Sequence, residues 1–480
     1  MLNIIKKITF LILLLSQTIL AQTPCVDGFA GEYPCNDYDL MSHIPNATLG
    51  NPSTAGNDSW GWTDPDTQKE YALMGIDSGI VFIDISNPIE PVIIGTLSSS
   101  TVTSSWRDVK VYNSHAFIVS EANSHGMQVF DLRRLRNPSN AIIPFTADTT
   151  FTEFGSAHNI VINEESGYAY IVGASRNSTY GGGPIFINIQ DPVNPVIEGG
   201  FAEGGYSHDA QVITYSGPDT DYTNKEILIG SNENEIVIAD VTDKTNPTVI
   251  SKITYSNVKY AHQGWFTEDL KYFILGDELD EFRLGNKTRS IIFDFTDLDN
   301  PLYHFDYFGS TNAIDHNGYV KDNVYYQANY TAGVRMIDVS NTENKSFSEI
   351  GFFDTFPNNN STAFNGVWNV YPYFPSGNII ISDIDNGFFV IRKSGTLNIV
   401  PKTARTNFSI FPNPAKYQTT ITIGNNKMVE SVQVYSILGQ KIIDKKNLKQ
   451  PKYILKTAIL EKGIYFIKIN GKMTKKFIVE

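Results

Sequence analysis

Four of the eight histidines in this chain recur at nearly even spacing. They are His158 in Ala157-His158-Asn159, His208 in Ser207-His208-Asp209, His262 in Ala261-His262-Gln263 and His316 in Asp315-His316-Asn317, with steps of 50, 54 and 54 residues. Neutral imidazole ligates Zn, Fe, Cu or Ni, and carboxylates behind the rings orient them. Acidic residues recur at a second position of the same units: Glu121, Glu233 and the pair Asp277-Glu278. Arg107 stands where the next unit has its histidine. Brought to one rim, His158, His208, His262 and His316 could hold a divalent transition metal. Arg107, Glu121, Glu233, Asp277 and Glu278 would then form a ligand-binding rim. Two plainer alternatives stay open at this level. The histidines could hydrogen-bond between units and carry no metal, or they could bind a ligand directly.

Such convergence requires a repeated element. A period near 50 residues points to a β-propeller or another repeat array. A second pattern, Gly-apolar-x-apolar-Asp-apolar-turn-Pro, is interleaved with the histidines. It occurs at Gly79–Pro91, Gly126–Pro138, Gly183–Pro195, Glu235–Pro247, Ser290–Pro301, Gly333–Asn344 and, in part, Gly387–Gly395. These are β-branched and aromatic runs closed by Asn-Pro-type turns, and proline marks the strand end because it cannot donate into a sheet. Each unit reads as four antiparallel strands, and seven units predict a seven-bladed β-propeller over residues 59–400. The seventh unit lacks a clear fourth strand. Aligning first strands places Ser59, Arg107, the four histidines and Phe364 at equivalent positions. His43 and His304 fall outside the repeat and read as local structure; His115 and His125 read as surface or hairpin residues.

The chain has 480 residues, 41% apolar and 12% aromatic, against only 18% charged. That composition excludes a disordered chain and favours strands. Its net charge is −14, from 37 basic and 51 acidic residues. Residues 403–480 hold 14 of the basic and 4 of the acidic ones, a net +10, so the remainder carries 23 against 47, a net −24. An acidic body lacks the basic footprint that nucleic acid demands. Lys6-Lys7, the apolar run Ile8–Leu15 and Ala21-Gln22 read as a signal peptide over residues 1–21. No segment reaches the ~20 apolar residues of a transmembrane span in the mature chain. Cys25 and Cys35 are the two cysteines, and in an exported chain they read as a disulfide inside an N-terminal segment, residues 22–58.

The strings Cys35–Pro45 (CNDYDLMSHIP), Trp60–Asp64 (WGWTD), His115–Ala122 (HAFIVSEA), Ser207–Gln211 (SHDAQ), Ala261–Trp265 (AHQGW) and Gly276–Glu281 (GDELDE) resemble the choice-of-anchor B family, whose propeller units are LVIVD repeats. The resemblance implies a secreted or surface-anchored propeller and no particular chemistry. At the C-terminus, Asn407–Ala415 (NFSIFPNPA), Val432–Ile442 (VQVYSILGQKI), Leu460–Ile469 (LEKGIYFIKI) and Thr474–Val479 (TKKFIV) are similar to the type A sorting domain of the type IX secretion system. Residues 405–480 therefore read as a C-terminal sorting domain built as a small β-sandwich, with the secretion machinery as partner. This implies passage to the outer-membrane surface of a Gram-negative cell, or release from it.

No complete catalytic set is visible. Tyr180–Pro184 lacks the Lys-Ser/Thr of a phosphate loop, and no Gly-x-Ser-x-Gly element occurs. The acidic run Asp277–Glu281 reads as a solvated turn, with Ca²⁺ binding as its alternative. The expectation from sequence is a binding or scaffold propeller holding a surface ligand, glycan or protein. The alternative is a metal-dependent enzyme with a four-His centre on the propeller axis.

Overall fold

The computed structural model describes residues 22–138, 141–395, 408–423, 428–436, 440–471 and 473–479. The proposed signal peptide, residues 1–21, lies outside them. Two compact units divide at residues 396 and 397.

In the first unit, the Gly-apolar-x-apolar-Asp runs form the third strand of successive sheets. Ile80, Val81, Phe82 and Ile83 are all buried, as are Ile236, Val237, Ile238 and Ala239. A strand covered on both faces needs such a continuous apolar run. The closing Asp has a local task. Asp84 Oδ1 accepts from Ser86 N at 2.9 Å, Asp240 Oδ1 from Thr242 N at 2.9 Å, and Asp294 Oδ1 from Thr296 N at 2.9 Å. The side chain mimics a turn and ends the strand. Asn188 does the same to Gln190 N at 3.0 Å, which explains how Asn replaces Asp in that unit.

Three sheets are simple four-stranded antiparallel meanders. They start at Asn159–Asn163, Asp209–Thr214 and Ala261–Phe266. A fourth begins at Arg107–Tyr112 and ends on Thr149–Phe151. The others recruit distant strands. Ile143–Phe145 adds in parallel to Val92–Ser98, making five strands. Phe29–Ala30 and Tyr33–Asn36 extend the sheet that contains Ser346–Phe353 to six. Tyr38–Ile44 pairs with Gly387–Lys393 and supplies the fourth strand that the last unit lacks in sequence.

The expectation of a closed seven-bladed β-propeller is corrected by this topology. Backbone hydrogen bonds define several separate open sheets of four, five and six strands, each with its own edges. The periodic pattern in the sequence specifies a strand and its turn, both local features. It does not specify how many strands a sheet collects or how sheets close on one another. The fold is all-β with separate open sheets.

Cores form between neighbouring sheets. Phe117 and Val129 of one sheet pack with Ile160, Ile171 and Ile187 of the next. Tyr170 and Phe186 pack in turn with Leu228 and Val237. Buried side chains also link sheets through backbone groups. Asn57 Oδ1 accepts from Arg107 N at 2.8 Å, Asp108 Oδ2 from Ile160 N at 2.8 Å, Gln211 Oε1 from Phe266 N at 2.9 Å, and Gln263 Oε1 from Gly318 N at 3.0 Å.

The second unit has a three-stranded sheet of Phe408–Phe411, Gln418–Ile423 and Lys452–Lys456. A four-stranded sheet of Lys441–Lys445, Val432–Ser436, Gly463–Ile469 and Met473–Val479 completes it. Ile421, Val434, Ile467 and Phe477 share one buried core. Along Gly463–Ile469 the exposed and buried positions alternate, as expected of a strand with one covered face.

Cys25 and Cys35 form a disulfide. Cys35 sits on the strand Tyr33–Asn36, so the bond anchors the first described residues to a strand of the body. A Cys25→Ala/Cys35→Ala variant should unfold in urea with a loss of about 2–3 kcal/mol, the loop entropy of a short ring. Chemical denaturation of both proteins checks this, and an unchanged midpoint would show that the strand pairing alone holds the segment.

Candidate metal centre

The four histidines come together. Ring centroids are 4.3 Å apart for His158 and His208, 4.6 Å for His208 and His262, and 4.6 Å for His262 and His316. All four are buried. Each lies at the start of a first strand, where its backbone is fixed by the end of the second. His158 N donates to Gly173 O at 3.2 Å, His208 N to Ser231 O at 3.0 Å, and His316 N to Ala328 O at 2.8 Å. His262 protrudes at a register shift between Ala261 and Gln263. Gly173 is obligatory here. Its φ is +62°, and a Cβ would stand 2.2 Å from His158 Cβ.

The partners of these rings leave nitrogen lone pairs facing inward. His158 Nδ1 donates to Glu121 Oε1 at 2.6 Å, and His316 Nδ1 donates to Trp368 O at 2.6 Å. His208 Nδ1 lies 2.9 Å from the Tyr260 hydroxyl. Glu278 Oε2 is 3.8 Å from His262 Nε2, and its Oε1 is 3.7 Å from His316 Nε2 while accepting from Tyr330 OH at 2.7 Å. His208 Nε2 and His262 Nδ1 are buried without a hydrogen-bond partner. A buried polar atom left so is costly unless something absent from the chain satisfies it.

Ligand atoms of His158, His208 and His262 lie within 4.8 Å of one another, and so do those of His262, Glu278 and His316. These buried groups can coordinate a metal ion. Metal–nitrogen bonds are about 2.0–2.1 Å, so three atoms as far apart as 4.8 Å would each move inward by up to about 0.7 Å to share one ion. The electrostatics agree with neutral, ligating rings. Burial, reinforced by the neighbouring imidazoles, holds His208 and His262 far below the ordinary histidine range, and burial lowers His316 to about 3. Burial raises Glu278 to about 7.

The other rim residues are placed differently. Glu121 and Glu278 line the pocket above the histidines. Arg107 is buried and turned away from it, with Nη1 3.0 Å from His125 Nε2 and Nε donating to Ile76 O at 3.3 Å. Glu233 pairs with Arg176 at 2.8 Å. Asp277 is a turn holder: its carboxylate accepts from Lys259 N and Tyr260 N, both at 2.7 Å, and from Tyr255 OH at 2.7 Å. The acidic run is therefore no solvated turn. Asp277, Asp280 and Glu281 are buried, with Arg289 3.3 Å from Asp280. His115 and His125 are also buried rather than surface residues. Asn317 Nδ2 meets Asn369 Oδ1 at 3.4 Å, so Trp368, not Phe364, holds the position equivalent to His316.

Sequence reasoning missed the aromatic partners Tyr206, Tyr260, Tyr330 and Trp368. A signal existed for three of them. Tyr206 and Tyr260 each stand two residues before a repeat histidine, and Trp368 precedes Asn369 as His316 precedes Asn317.

Comparison with known proteins adds the destination of the chain. Residues 409–480 match the family of secretion system C-terminal sorting domains. A curated relative, Beta-agarase A of Zobellia galactanivorans, is 30% identical over 69 residues, which are 14% of this chain and 13% of the relative. The chain thus spans about an eighth of that protein's length. Among solved structures, a protein from Lactobacillus plantarum has a TM-score of 0.41 and 10% identity, covering 84% of this chain and 98% of its own. A functionally unknown protein from Desulfotomaculum acetoxidans has a TM-score of 0.44 and 15% identity, covering 68% of this chain and 95% of its own. The family match is confined to the C-terminal segment, so the choice-of-anchor B resemblance and its LVIVD-repeat blades are withdrawn, and with them the function read from a propeller. What the match supports is an exported protein with a sorting domain that links it to the type IX secretion machinery. No helix among the described residues is long and apolar enough to cross a membrane.

The Arg107–His125 contact yields a pH prediction. His125 Nδ1 donates to Gly126 O at 3.0 Å, and its Nε2 accepts from the guanidinium. Burial, with the Arg107 charge added, lowers His125 from 6.5 to about 4. A depressed histidine stabilises the fold above its unfolded value, and that contribution is lost as pH falls through the folded one. Stability should drop by about 3 kcal/mol between pH 6.5 and 4 from this residue. Denaturation midpoints of wild type and His125→Gln across that window check it; the variant's profile should be flatter.

Proposed function

We propose that this chain is an exported metal-binding protein whose buried histidines hold one divalent transition metal. The observation that carries this reading is the pair of buried nitrogens without a partner among the described residues, His208 Nε2 and His262 Nδ1, on two residues that with His158 bring ligand atoms within 4.8 Å of one another. A bound ion would satisfy both and would supply a Lewis-acidic centre at the floor of the pocket. Glu121, Tyr260 and the carbonyl of Trp368 orient three of the rings from behind, and Glu278 offers a carboxylate across His262 and His316. A ring tied through Nδ1 presents Nε2 as the ligand.

Delivery belongs to the two ends of the chain. Residues 1–21 serve as the signal for export from the cytoplasm, and residues 405–480 direct transfer across the outer membrane of a Gram-negative cell to its surface or the medium. The basic charge of that segment, opposite in sign to the body, suits a module read separately from its cargo.

Elemental analysis of purified mature protein should find about one transition metal per chain. A His208→Ala/His262→Ala variant should lose it while keeping its β-sheet circular dichroism, and metal content unchanged in that variant would defeat the reading. Deletion of residues 405–480 should leave the protein in the periplasm with its metal bound. Truncated protein found on the surface or in the medium would count against the sorting role.

A further inference from the structure

The chamber over the histidines has a volume of about 500 Å³, within the range of pockets that enclose small organic ligands. Its floor is imidazole, and its walls are aromatic. One group stands beside His208: Tyr260 at 5.0 Å and Tyr206 at 6.4 Å between ring centroids. A second stands beside His316: Trp368 at 4.6 Å and Tyr330 at 4.9 Å, with Phe364 packed edge-on against Tyr330 at 5.5 Å. At the mouth, Trp106 and Phe364 remain 45% and 44% exposed, which leaves large apolar faces in water. Exposed aromatic surface around a concave site marks binding.

The charges of the chamber are already committed. Glu121 pairs with His158, and Glu278 accepts from Tyr330. Among the described residues, no Lys or Arg lines the wall. Arg176, behind that wall, stacks on Tyr206 at 3.8 Å and pairs with Glu233 at 2.8 Å. An anionic ligand would therefore meet the carboxylates of Glu121 and Glu278 along the walls, with only the ion at the histidines to offset its charge. A strongly hydrated ligand would have to shed its water against aromatic faces that return few hydrogen bonds.

Resting on the metal-centre reading, we propose that the chamber binds an uncharged aromatic or apolar organic molecule. It would lie between the Tyr206–Tyr260 and Tyr330–Trp368 walls with its inner end at the histidines. Phe364 and Trp106 hold its outer end.

The test uses full-length mature protein and the neutral fluorophore N-phenyl-1-naphthylamine, with metal content measured on the same samples. Saturable binding of one fluorophore per chain is expected, weakened at least tenfold in both Phe364→Asp and Trp106→Ala, with metal content unchanged. Both side chains are half-exposed, so these variants should fold, and circular dichroism verifies that they do. Metal retained with no saturable fluorophore binding overturns the ligand class and leaves the metal reading intact. Binding equal in wild type and both variants also overturns it. Calorimetric binding of a neutral oligosaccharide that the fluorophore does not displace overturns it in favour of a sugar site. Fluorophore binding with no metal in any preparation supports the chamber's chemistry and removes the metal reading instead.

Discussion

The histidines meet because separate sheets are held in register at their first strands, in large part by buried side chains that bond to a neighbour's backbone. Beside single backbone bonds between sheets, such as Gly173 N to Ser207 O at 2.7 Å and Ala261 N to Glu233 O at 2.6 Å, Asn57, Asp108, Gln211 and Gln263 link first strands in this way. Each such bond contributes on the order of 1 kcal/mol net, but removing its acceptor strands a buried N–H at a cost of about 1–3 kcal/mol. That asymmetry makes them specifiers of position more than sources of stability. Three of them lie on strands that carry Arg107, His208 or His262, or adjoin them in sequence. A shift at one would move an imidazole by a comparable distance, and metal ligation tolerates only tenths of an ångström.

The centre itself is electrostatically expensive. Four buried imidazoles with a carboxylate among them can exist only if the rings stay neutral and each polar atom finds a partner. Glu121, Tyr260 and Trp368 O meet that demand from outside. The inner side of His208 and His262 does not meet it within the chain. The neighbouring acidic turn meets it in part: backbone N–H groups at Lys259 and Tyr260 hold Asp277 and Arg289 reaches Asp280, while Asp280 Oδ1 and Glu281 Oε2 stay buried without a partner among the described residues. What singles out the imidazole cluster is that its unpartnered atoms belong to residues whose ligand atoms converge within 4.8 Å.

Much of the site was legible because a repeat histidine is rare and its spacing survives without structural knowledge. The strand content was legible from β-branched runs and Asn-Pro turns, and the structure gives the repeat Asp its reason as a strand terminator. The sheet architecture was not. A repeat encodes local geometry, whereas the five- and six-stranded sheets draw on Ile143–Phe145 and Phe29–Asn36, segments with no repeat signature. Arg107 and Asp277 misled for a related reason. Position in a unit fixes where a Cα lies, but a long or hydrogen-bonded side chain can turn to another partner, here His125 and the turn at Lys259–Tyr260. Phe364 was misaligned because Trp368 breaks the histidine pattern while keeping the Asn that follows.

The strand Tyr38–Ile44 carries a kinetic consequence. It pairs with Gly387–Lys393, so its hydrogen-bonding partner follows only after nearly 350 further residues of chain. Closing so long a loop is slow and entropically unfavourable until the remaining sheets have shortened the distance. The edge of the last sheet is therefore completed late, after the strands between these two have found their partners.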